Sequence, residues 1–114
     1  MPPEISNILS YLPPALSGEA FDTIVETDSV HIERIVSNGQ ATPEGEWYDQ
    51  ERDEWVLVLA GSASLLFDGA QEPRCLVAGD HVLIPAGCRH RVAWTDPNVK
   101  TVWLAVHFTT GLKP

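Results

Sequence analysis

Basic residues are scarce in this sequence: seven Lys and Arg stand against sixteen Asp and Glu, for a formal charge of -9. That sign repels phosphate backbones and anionic lipid headgroups, so neither nucleic acid nor a membrane surface is an expected partner. Cysteine is nearly missing. Cys75 and Cys88 show neither a C-x-x-C redox spacing nor a paired zinc-knuckle spacing, and both are expected to be reduced. There is no apolar run of about eighteen residues, which excludes a membrane-spanning helix. Met1-Pro2-Pro3-Glu4 does not open a basic stretch followed by an apolar run and a small-residue cleavage site, so the expected location is the cytoplasm. Helical periodicity is almost absent too.

What remains is a chain of 114 residues, 44% hydrophobic and 20% charged, long enough for one domain with a packed core and no disulfide staples. Pro2, Pro3, Pro13 and Pro14 rule out a long helix over residues 1–20, which read as an irregular N-terminal arm. From residue 21 to 114 the texture is that of a single β domain. Strands are expected at 21–26, 30–36, 47–50, 54–60, 62–67, 74–77, 81–85, 90–94 and 101–108, roughly nine in all. The first two read as a hairpin, and 62–67 is expected to pair with 54–60, whose nearly continuous aliphatic run suits a strand buried on both faces or inside a sandwich. Asp68-Gly69, Ala78-Gly79-Asp80 and Asp96-Pro97-Asn98 supply turns. Many short strands at close intervals indicate an all-β sandwich or barrel; an immunoglobulin-like sandwich has no support from the Cys and Trp spacing.

Two stretches carry the chemistry. Glu54 is followed after six residues by Gly61, and Gly79 is followed after five by Pro85, Gly87 and His90. In identity and spacing these six positions resemble the two sequence motifs of the cupin superfamily, over about residues 40 to 108. The resemblance implies a jelly-roll (cupin) β-barrel with its site inside the barrel mouth, and a small single-domain member of that superfamily. The first motif is degenerate. Where the family has two histidine ligands, this chain has Tyr48 and Gln50, taking three residues between the pair and Glu54.

Tyr48 and Gln50 share a strand face, and His90, Val92 and Trp94 share another from which Arg89 and Arg91 point away, so His90 is expected to face the barrel interior. A buried carboxylate, an imidazole and a side-chain amide offer mixed ligation for a divalent metal, Fe, Mn, Ni or Zn, through Glu54, His90 and Gln50. His107 can add to that set if the face carrying Trp103, Ala105 and His107 is the inward one, which alternation alone leaves open. Glu54 and His90 also make sense as a metal-free buried polar pair. Tyr48 is the candidate general acid, with packing at the barrel mouth as its other role.

The functional expectation is a cupin that binds a divalent metal in the barrel and acts on a small organic molecule as an oxygenase, isomerase or lyase. The alternative is a metal-free module that binds or senses a sugar or organic acid. Apolar strand faces and the arm make a homodimer the expected assembly.

Overall fold

The computed structural model describes residues 1–14 and 17–109. Eight strands form among them: β1 (Ala20–Glu26), β2 (Val30–Ser37), β3 (Asp53–Ala60), β4 (Ser62–Phe67), β5 (Arg74–Val77), β6 (His81–Ile84), β7 (His90–Thr95) and β8 (Thr101–Phe108). All pairings are antiparallel, in a five-stranded sheet of order β1-β2-β8-β3-β6 and a three-stranded sheet of order β5-β4-β7. This is the all-β jelly roll read from the sequence. Its core lies between the sheets, where Val56 and Val58 of β3, Ala63 and Leu65 of β4, and Trp103 and Ala105 of β8 pack together.

The β1–β2 hairpin forms as expected, but two other expectations change. The run at 47–50 is not a strand. It contributes one isolated bridge, Tyr48 to His90, within a loop tied to β7: Thr42 N–H donates to the Val92 carbonyl at 2.9 Å, and Gly87 N–H to the Gln50 carbonyl at 2.9 Å. Pro43 and Gly45 nearby keep the loop from continuous pairing. Second, β4 does not pair with β3. It pairs with β5 and β7, because the chain changes sheets at Gly61. That residue has φ +81° and sits so close to Thr101 that Ser62 N–H reaches the Thr101 hydroxyl oxygen at 3.2 Å.

Of the two settings open to β3, the sandwich holds, with one face in the core. Its residues alternate, with Glu54, Val56 and Val58 buried and Trp55, Leu57 and Leu59 only half-buried on the outer side of the sheet. The arm is clipped to that outer side by Arg34. Its guanidinium donates to the carbonyls of Ile8 at 3.1 Å and Ser10 at 2.8 Å and pairs with Asp22 at 2.8 Å. No helix among the described residues is long and apolar enough to cross a membrane.

Candidate functional site in the barrel mouth

Antiparallel register builds the site. Glu54 on β3 lies directly across from His107 on β8, and His31 on β2 lies across from His107 on its other side. Because side chains alternate, the inward residues of these neighbouring strands are Glu33 and Ile35, Trp103 and His107, and Glu54 and Val56. His90 and Val92 of β7 face them from the opposite sheet, and the loop adds Tyr48 and Gln50. The resulting pocket opens at the barrel mouth, with about 540 Å³ of empty space counted out to the solvent.

One wall is polar and tightly buried. Glu54 is 7% exposed, His90 5% and His107 8%. His90 Nε2 lies 3.5 Å from one Glu54 oxygen, and His107 Nε2 lies 3.7 Å from the other and 3.2 Å from Glu33. Glu33 also meets His31 at 3.2 Å. Imidazoles and carboxylates therefore alternate from the pocket to the outer strands. Apolar side chains adjoin it on both sheets, Val56 and Ile84 beside Glu54, and Leu65 and Val92 on the sheet that carries His90.

His90 Nδ1 lies 2.9 Å from the Cys88 carbonyl, which can only accept, so Nδ1 carries a proton and Nε2 is the ring atom turned to Glu54. Burial opposes a charge on this ring. The adjacent Glu54 carboxylate and the Cys88 carbonyl outweigh it, and its pKa is raised above the ordinary 6.5. A raised histidine pKa adds stability that is complete below the unfolded value and is lost as pH rises through the folded one. The unfolding free energy of the wild type relative to His90→Gln is thus expected to shrink on the alkaline side of 6.5. Urea titrations across that range check this; a difference constant with pH would overturn the coupling.

Tyr48 lies over His90 with ring centroids 5.6 Å apart and planes 26° apart, and 37% of it reaches solvent at the mouth. Burial raises its pKa, reinforced by the negative charges of Glu19, Glu54 and Glu33 and partly offset by a bond with Thr42, so the phenol is protonated at neutral pH.

All five residues singled out from the sequence, Tyr48, Gln50, Glu54, His90 and His107, line this one pocket, and His107 is on the inward face. Two lining carboxylates were not foreseen. Glu33 sits on a strand where His31, Glu33, Ile35 and Ser37 alternate with Val30, Ile32, Arg34 and Val36, so only its pairing with β8 reveals its side. Glu19 precedes β1, and its carboxylate accepts a hydrogen bond from the Ser37 hydroxyl.

Fit for a divalent ion turns on the donors. Gln50 Oε1 is buried and accepts no hydrogen bond, as an oxygen left for an electrophilic partner would be. Against that, no group of three or more His, Cys, Asp or Glu side chains among the described residues is arranged to hold a metal ion. A fit therefore depends on the Gln50 amide oxygen as a third donor beside Glu54 and an imidazole.

Known proteins sharpen this picture. The chain is 47% identical to a Ralstonia eutropha JMP134 protein provisionally named a mannose-6-phosphate isomerase; the match covers 95% of this chain and 100% of that one at a TM-score of 0.92. It also matches a cupin superfamily protein of Desulfitobacterium hafniense DCB-2, with 20% identity, coverage of 96% and 95%, and a TM-score of 0.76. An RmlC-like cupin of Methanocaldococcus jannaschii with a double-stranded β-helix fold matches at 18% identity, 86% coverage of each chain and a TM-score of 0.67. The latter two similarities speak to the fold alone. No family model and no curated protein matches the sequence.

Proposed function

The chain belongs to the cupin superfamily as a small single-domain member, and from that premise we propose that it is a small-molecule-binding protein whose ligand occupies the barrel mouth without a resident metal. The observation that carries this reading is the mixed lining of the pocket. Its polar groups are prepaired, since each imidazole already faces a carboxylate, while Val56, Leu65, Ile84 and Val92 offer an organic body an apolar surface. In this reading Tyr48 is the proton donor at the mouth and Glu54 the buried proton acceptor.

The name of the Ralstonia relative suggests a phosphosugar as the ligand. The lining argues otherwise, because none of the fourteen residues around the pocket is Lys or Arg, the side chains that bind phosphate by paired or point charges. The arginines near the pocket are committed elsewhere: Arg34 to Asp22 and the arm, Arg89 to Asp68, and Arg91 to the Thr42 carbonyl.

A second reading is favoured by the unpartnered Gln50 Oε1: a divalent ion held by Gln50, Glu54 and His90, with His107 beside them. Such an ion would supply Lewis-acid polarisation of a bound oxygen.

Elemental mass spectrometry on the purified protein, followed by thermal-shift screening of EDTA-treated protein against metabolites, separates the two. A ligand at a hundred times its Kd adds about 2.7 kcal/mol, which for a domain of this size raises Tm by roughly 10 °C. Such a rise with EDTA present is the expected result. Stoichiometric metal that is lost in both Glu54→Gln and His90→Ala, with no metal-independent ligand, would replace the first reading by the second.

We also propose a homodimer joined through the outer face of the five-stranded sheet. Register places Ile32, Val106, Trp55 and Leu83 in one row across four strands, and Leu83 is 44% exposed. Light scattering coupled to gel filtration decides it, a monomer mass being the result against.

A further inference from the structure

Apart from the imidazoles of His90 and His107, the ionisable lining is acidic. Three carboxylates, Glu19, Glu33 and Glu54, share a pocket that contains no Lys or Arg. In a partly desolvated cavity the field of these charges is little screened and weighs heavily on the sign of whatever enters.

The acidic residues are not a merely solvated cluster. Glu54 is 7% exposed, and each of its oxygens faces a single imidazole, His90 at 3.5 Å and His107 at 3.7 Å. Gln50 Oε1, also buried, has no donor at all. A buried acceptor left without a donor is costly, and this oxygen defines what a partner must bring: an N–H group, preferably charged. The adjoining side chains of Val56, Leu65 and Ile84 offer nothing polar and suit a hydrocarbon.

We propose that the pocket selects its ligand for positive charge, accepting a small protonated amine whose ammonium is held by Glu33, Glu54 and Gln50 and whose apolar body lies against Val56, Leu65 and Ile84. This rests on the pocket being a small-molecule site. An ammonium supplies three donors, enough to serve both carboxylates and the amide oxygen, and its charge offsets the carboxylates. Phosphate and carboxylate ligands meet like charge and no Lys or Arg. A neutral alcohol brings a single donor and leaves the charge uncompensated.

The test titrates the EDTA-treated full chain, by calorimetry, with three probes of the same shape: cyclohexylmethylamine, cyclohexylmethanol and cyclohexanecarboxylate. MnCl2 alone is the fourth arm, on protein freed of EDTA. Charged hydrogen bonds contribute about 1.5–3 kcal/mol each, so the amine is expected to bind at least about tenfold more tightly than the alcohol and to weaken as salt is raised. Glu54→Gln should remove most of that preference; Glu33→Gln, on the half-buried strand β2, is the second variant and should reduce it as well even if Glu54→Gln does not fold.

Alcohol or carboxylate binding as tightly as the amine overturns the charge selection and leaves the pocket reading standing. Binding of none of the three organic probes overturns both. Tight Mn²⁺ binding without amine binding overturns the inference and favours the metal reading of the site.

Discussion

Truncating Trp103 to alanine is expected to lower the unfolding free energy by about 3–5 kcal/mol, the usual cost of deleting a large aromatic from a core. Trp103 is 3% exposed and stands on β8, the strand hydrogen-bonded between β2 and β3. It packs with Val56, Val58, Leu65 and Ile84, so no flexible neighbour is at hand to fill the space. Its Nε1–H donates to the Ser37 hydroxyl oxygen at 3.1 Å, and that hydroxyl in turn donates to Glu19. Alanine therefore leaves Ser37 without its donor as well as leaving a hole.

The effect reaches the site, because Trp103 also lines the pocket and the hole would open into it. Trp103→Phe separates the two losses. It keeps most of the apolar contact and removes the bond to Ser37, for an expected cost of about 1–2 kcal/mol. Against a total stability of about 5–15 kcal/mol for a domain, the alanine variant should show a clear fall in its urea midpoint. A cost below about 1 kcal/mol would mean that β8 does not organise the core in this way.

Gly61→Ala should be nearly as damaging despite adding a single methyl. The added Cβ would stand 2.6 Å from Thr101 Cα and Oγ1 and 2.7 Å from the Lys100 carbonyl oxygen, two of which are backbone atoms that cannot rotate away. Positive φ at +81° adds the strain of the left-handed region. Strain and overpacking together come to about 3 kcal/mol or more. Gly69→Ala is the control. Its φ is +90°, but a Cβ there meets nothing within 4 Å, so only the conformational cost of about 1–2 kcal/mol applies. The difference between the two variants in chemical denaturation measures the close approach at the sheet crossing. Equal losses would place the whole effect in φ.

The legibility of this fold followed its local content. Turn chemistry at Gly39, Gly69 and Gly79, each with positive φ, and the alternating strands between turns were readable without any partner. So were the ends of most strands. The error at residues 47–50 arose because an extended conformation was visible in the sequence but its ladder was not; those residues bond β7 at Tyr48 alone among strand positions. Likewise Gly61 advertised a turn without saying whether the chain would fold back on β3 or leave for the other sheet.

The site was legible where it coincided with motif spacing and opaque where it depended on register. Glu54 and His90 could be singled out by spacing, and Gln50 and Tyr48 by their offset from Glu54. Glu33 could not, because β2 carries apolar and polar residues on both faces and nothing in its pattern selects a side. Its place beside His107 follows from the pairing of β2 with β8, seventy-odd residues apart in the chain.

By itself, then, the sequence determined an all-β cupin barrel, the residues most apt for chemistry and an acidic character hostile to polyanions, because each of these depends on residue type and short-range spacing. Tertiary structure alone decided which strand faces look inward, that His107 and Glu33 join Glu54, and that every arginine near the pocket is turned to other partners. The physical reason is that antiparallel pairing has a period of two: a side chain's surroundings are set by the strand lying next to it, and that neighbour is chosen by the packing of the whole barrel.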